Sequence, residues 1–196
     1  MKRLLVALCL LLCGCSGVPV DTNYRGADGG VLVFSAGYIG QPFNMDFLYK
    51  KVGTPSARGE GVHGRIHYNA SLLARTPNDY EGKESGAVRV VHLAPGEYEV
   101  YTWEISTYGP IVDSDYWPKR EFSWRFTIKP GETTYIGTYE VCPPAGTVFD
   151  YAFKFLVADR RERDLAIARK KEPGLPPVSF AVPDVSNIPG MVATAP

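Results

Sequence analysis

Alternation with period two constrains this chain more than any other feature of its sequence. Phe122, Trp124, Phe126 and Ile128 alternate with Glu121, Ser123, Arg125 and Thr127. Phe149, Tyr151, Phe153, Phe155 and Val157 alternate in the same way with Asp150, Ala152 and Lys154. Successive side chains of a strand point to opposite faces, so such runs predict strands with one face on a core and the other toward solvent. Weaker runs lie at Val31–Phe34, Met45–Tyr49, Val62–Tyr68, Val88–Val91, Glu97–Trp103 and Thr133–Tyr139. An aromatic content of 12% suits a core built between sheets.

Turn chemistry separates the runs. Pro95-Gly96 and Pro130-Gly131 each sit between apolar strand residues. Proline fixes φ near −65° and glycine accepts a positive φ, so each pair should reverse or sharply bend the chain. One helix is expected late: Asp159 precedes Glu162 at capping-box spacing, Arg160–Lys171 favours helix, and Pro173 ends it. The expected fold is mainly β, an antiparallel β-sandwich of seven to eight strands with one short C-terminal helix. It should occupy residues 30–172, followed by a Pro-rich, partly disordered tail over 173–196.

The N-terminus has a different composition. Lys2 and Arg3 precede an apolar run from Leu4 to Leu12, followed by Cys13, Gly14 and Cys15. Those are the parts of a secretory signal, and the run is far shorter than the roughly 20 residues that span a bilayer. Leu12-Cys13-Gly14-Cys15 resembles the lipobox of bacterial lipoproteins. That resemblance implies a signal peptide over 1–14, acylation of Cys15, and a lipidated tether over 15–29. With Ser16 after the cysteine, it also implies an outer-membrane anchor facing the periplasm. An ordinary secretory signal cleaved near Gly14 or Gly17 is the competing reading.

Charge excludes one class of partner. The precursor carries 21 basic and 21 acidic residues, and losing Lys2 and Arg3 leaves 19 basic residues against 21 acidic. With no basic stripe, nucleic acid is not an expected partner. Cys9 and Cys13 would leave with the signal, so beyond the anchor the mature chain would keep one cysteine, Cys142, and no intramolecular disulfide is expected to hold the fold.

Leu93-x-Pro95-Gly96-x-Tyr98 and Phe126-x-Ile128-x-Pro130-Gly131-Glu132-x-x-Tyr135-Ile136-Gly137, with Glu162-Arg163-Asp164-Leu165, resemble a group of uncharacterised bacterial lipoproteins. Domains of that group are similar to carboxypeptidase-regulatory-like, or prealbumin-like, β-sandwiches. The resemblance supports a fold and brings no catalytic residues with it.

Few residues suggest chemistry. His63 and His67 have H-x-x-x-H spacing, but on a strand they are roughly 13 Å apart and Arg65 lies between them, so solvent-facing histidines are expected rather than a metal pair. Asp113-Ser114-Asp115 begins like a calcium loop but lacks its glycine and final glutamate, and no metal or other cofactor is expected. Cys142 has no catalytic signature around it and reads as a half-buried structural thiol. No G-x-S-x-G elbow occurs, and no enzymatic activity is expected. Acidic Asn78–Glu84 reads as a solvated loop. The segment 106–120 holds Tyr108, Tyr116 and Trp117 in a long connection. These rings either meet an envelope protein or a glycan, or fold back to plug the end of the domain. The leading expectation is a lipid-anchored module that binds another envelope protein; the alternative is carbohydrate or peptidoglycan binding through this loop.

Overall fold

The computed structural model describes residues 20–40, 43–54, 63–70, 75–81, 84–108, 113–118, 120, 122–142, 153–186, 188 and 190–194. Eleven strands and one helix occur among them: β1 (Gly30–Tyr38), β2 (Asn44–Lys51), β3 (Gly64–Tyr68), β4 (Ser85–Leu93), β5 (Gly96–Tyr108), β6 (Asp113–Tyr116), β7 (Trp124–Ile128), β8 (Thr133–Cys142), β9 (Lys154–Ala158), α1 (Arg161–Lys171), β10 (Val178–Phe180) and β11 (Met191–Thr194). The protein is mainly β, in two sheets. The first runs β11-β9-β8-β1-β4, with β10 sharing the β8 edge with β9. The second runs β3-β2-β5-β6, with β7 taking the other half of the β5 edge.

The alternating runs set the inner faces. In β7, Trp124, Phe126 and Ile128 are buried while Arg125 and Thr127 are exposed. In β9 and just before it, Phe153, Phe155 and Val157 are buried. Aromatic edges join the two sheets: Phe47 of β2 meets Tyr139 and Phe155 at ring centroids 5.0 and 4.8 Å apart, and Trp103 of β5 meets Phe155 at 4.9 Å. Tilted and edge-on rings at this spacing suit the aromatic quadrupole, so the core is held by packing geometry as well as by area.

The structure corrects three expectations. The strand count is eleven among the described residues, because β6, β10 and β11 are short and carry too little sequence for periodicity to register. The first sheet is mixed rather than antiparallel: β1 and β10 run parallel to β8, and β11 runs parallel to β9. The expected tail over 173–196 instead supplies β10 and β11, and Val185, Ile188 and Met191 are buried in the main core. Its described prolines, Pro173, Pro176, Pro177 and Pro183, lie outside the strands, where the missing N–H groups cost no ladder bond.

One bulge sets the phase of the first sheet. Val33 and Ser35 of β1 are opposed by Tyr135 and Thr138 of β8, so two steps on one strand face three on the other. The extra residue brings in Gly137, at φ +103°, where a side chain would be strained. Tyr135 and Thr138, three positions apart, consequently point to the same outer face. The helix α1 covers that face, burying Leu165 and Ala168 against Val31, Val33, Val88 and Tyr135. The first sheet is therefore buried on both sides, and the helix forms a third layer. Gly137→Ala should destabilise the fold by about 1–3 kcal/mol. Gly174→Ala, where a Cβ would meet open space, should leave the thermal midpoint unchanged; equal midpoints for the two variants would remove the bulge from this role.

Candidate functional site

Three clusters of polar or aromatic groups stand out: a buried carboxylate under α1, the aromatic segment around β6, and the lone thiol. The carboxylate is the most organised. Asp164 lies in the first turn of α1 and is fully buried. Its Oδ2 accepts hydrogen bonds from Ser35 Oγ at 2.5 Å, Thr138 Oγ1 at 2.7 Å and Tyr135 Oη at 2.9 Å. Its Oδ1 accepts one from Arg163 Nε at 2.9 Å. An ionised carboxylate out of water costs several kcal/mol unless such donors replace its hydration. Here β1, β8 and α1 each contribute at least one donor.

Arg163 carries the network to the surface. Its Nη1 donates to Glu84 at 2.9 Å, and its guanidinium lies 3.7 Å from the centre of the Tyr80 ring. At the far end of the helix, Lys171 Nζ bonds Asp79 and donates to the Val88 carbonyl at 2.8 Å. The acidic Asn78–Glu84 segment is therefore not merely solvated. Its described residues strap α1 to β4, with Asn78 Oδ1 accepting the Gly86 amide at 2.8 Å. The helix start also differs from expectation. Arg160 is the N-cap and makes no side-chain capping bond, while Asp159 forks onto the Arg161 side chain, with Nε donating at 2.9 and 2.8 Å.

Asp164, Ser35, Tyr135 and Thr138 are each at or near zero exposure, and the three hydroxyls already donate to the carboxylate. Burial and the nearby Asp164 also push the Tyr135 hydroxyl far above its ordinary pKa, leaving it a donor rather than a base. The cluster is a clamp. Sequence reasoning missed it because a charged residue on a helix reads as solvated.

The aromatic segment divides. β5 extends to Tyr108, which pairs with Asp113 at the start of β6, so the long connection is largely a hairpin. The Tyr108 side chain and residues 109–112, 119 and 121 lie outside the described residues. Tyr116 pairs with Ile105 and meets Phe153 edge-on at 4.9 Å, closing the end of the core. Trp117, one residue on, is 45% exposed. Asp113-Ser114-Asp115 forms the edge strand β6 rather than a loop. Glu104, paired in β5 with Asp46 of β2, has its pKa raised by burial and by Asp46 and Asp115. Acidic charge thus gathers near this edge.

The remaining candidates are Cys142, His63 and His67. Cys142 ends β8 half-buried, and burial followed by Glu140 raises its pKa, which disfavours the nucleophilic thiolate. His63 is buried, contrary to the expected solvent exposure, because it enters the core edge just before β3. His67 is partly exposed and its Nδ1 lies 2.8 Å from Asp46 Oδ1. Among the described residues, no group of three or more metal-ligating side chains converges, and no helix is long and apolar enough to cross a membrane. Cys15 and residues 1–19 lie outside the described residues. No protein-family model, curated protein or solved structure matches the chain.

The buried acid Glu140 gives a pH test. Burial, and then Glu84, raises its folded-state pKa above the ordinary value of about 4.3. With the folded value raised, the folded state binds more protons than the unfolded state as pH climbs above that ordinary value, so stability falls through that window. Glu140→Gln should melt above the wild type at neutral pH and converge with it toward about pH 4. A variant that melts lower at neutral pH would show that the carboxylate is stabilising there.

Proposed function

We propose that this chain is a lipid-anchored, non-catalytic β-sandwich of the bacterial cell envelope that binds another envelope protein through the β6 edge. The observation that carries the reading is the exposed Trp117, which follows Tyr116 at the end of β6. Tyr116 is seated against Phe153, so the backbone that presents the indole is braced by the core. A braced, exposed tryptophan can be buried by a partner with little loss of conformational freedom, which is the usual character of an interface hot spot.

The sandwich reading rests on two sheets sharing one aromatic core, and the prealbumin-like resemblance agrees with it. The non-catalytic reading is supported by the burial of the carboxylate–hydroxyl cluster and by the raised pKa of Cys142. The anchor rests on the lipobox-like sequence ending at Cys15, which also implies the outer membrane facing the periplasm. A tether over 15–29 would let the module reach partners near that surface.

Two experiments test this reading. Metabolic labelling with a fatty-acid probe should mark the wild type and not Cys15→Ala; equal labelling would remove the anchor. Affinity purification from envelope extracts should recover one stoichiometric protein, and Trp117→Ala should weaken that binding about tenfold or more while leaving the thermal midpoint unchanged. Unchanged binding would remove Trp117 from the interface. Loss of peptidoglycan binding in place of protein binding would transfer the role to a glycan.

A further inference from the structure

We infer that the opposite edge of the protein, between β3 and β4, is a binding cleft for a small carboxylate with a short apolar body. These strands end their respective sheets, and a cavity of about 360 Å³ opens between them, lined in part by Phe34, Tyr49, Gly64, Arg89 and Val91. That volume lies at the small end of ligand sites, enough for one compact molecule.

Arg89 is the first observation. It pairs directly with Phe34 across β1 and β4, so it shares the inner face of the sheet with a fully buried phenylalanine. Among the described residues its one hydrogen bond is to Thr76 Oγ1 at 3.5 Å, and it makes no ion pair with a carboxylate. Asp46, whose partners His67 and Arg65 line the same cleft, is held at 2.8 Å by His67 Nδ1 and at 3.9 Å by Arg65. An arginine turned into the core edge with no carboxylate partner among the described residues favours an anion, which it can meet with two parallel N–H donors.

Tyr49 is the second, independent observation. Its side chain is fully buried, and among the described residues its hydroxyl has no hydrogen-bond partner. The ring lies over its cross-strand partner Gly64, where an added Cβ would fall 2.0 Å from Cζ and 2.4 Å from the hydroxyl oxygen. Covering an edge glycine with an aromatic ring explains the ring but leaves the hydroxyl unaccounted for. Because Gly64 lines the cleft, the phenol end is delivered to it. A buried donor left unmade carries a substantial penalty, which an accepting carboxylate oxygen would relieve. Phe34, Val91 and the Tyr49 ring supply apolar wall, so the ligand is a carboxylate with a few carbons behind it rather than a bare inorganic ion.

Hexanoate and benzoate are suitable probes, with inorganic phosphate as the comparison. In the full-length chain carrying Cys15→Ser, either carboxylate should shift the Gly64 and Val91 amide resonances saturably below about 10 mM. Arg89→Gln should weaken binding about tenfold or more, and Tyr49→Phe by about threefold to tenfold. Without ligand, Tyr49→Phe should melt at or above the wild-type temperature, since it removes only an unpaired hydroxyl. Absence of saturable binding, equal affinities in the variants, or binding of phosphate but neither carboxylate would overturn the assignment. A clear fall in the ligand-free midpoint of Tyr49→Phe would do so too, because the hydroxyl would then have a partner within the protein.

Discussion

A single carboxylate, that of Asp164, decides how the layers of this protein come together. Apolar contact alone would hold α1 only loosely, since its buried stripe is short: Leu165 and Ala168 beside the acid itself. Asp164 makes the docking specific. Once it is under the helix, Ser35, Tyr135 and Thr138 must all be placed to donate to it, because a buried carboxylate missing those bonds would be strongly unfavourable. That requirement reaches back to the bulge at Gly137, without which Tyr135 and Thr138 would lie on opposite faces of β8.

The helix in turn explains an unusual strand. β1 reads Val31-Leu32-Val33-Phe34-Ser35-Ala36, apolar on both faces apart from the serine that bonds Asp164. Strands covered on both sides read as continuous apolar runs rather than alternating ones. The two sheets differ accordingly. The outer face of the first is covered by α1, while that of the second carries polar pairs such as the Lys50–Glu99 ion pair at 3.4 Å and the contact of His67 Nδ1 with Asp46. The two surfaces proposed for binding lie at sheet edges, Trp117 at one and the Arg89 cavity at the opposite one.

Much of the strand phase was legible in sequence, because alternation reports burial directly. The positions of Trp124, Phe126, Phe153 and Phe155 follow from it residue by residue. Alternation could not find β6, β10 or β11: β6 and β10 pair with the parts of the β5 and β8 edges that β7 and β9 leave free, and β11 lies along β9. The proline-rich composition of 173–196 suggested disorder, yet Val185, Ile188 and Met191 carry enough apolar surface to fix that segment to the core. In the aromatic segment, composition marked the right stretch but not the division of labour: adjacent residues face opposite ways, so Tyr116 packs inward and Trp117 outward. The cleft at β3 and β4 was not legible at all, since it joins residues from separate strands.

Native-state hydrogen exchange tests the central claim, that Asp164 makes α1 an integral layer rather than an appendage. The amides of Leu165 and Ala168 should exchange with the same free energy and the same denaturant dependence as those at the centres of β1 and β8, as parts of one cooperative unit. If the helix amides exchange through a smaller opening, insensitive to denaturant while β1 and β8 stay protected, the buried carboxylate does not hold the layers together.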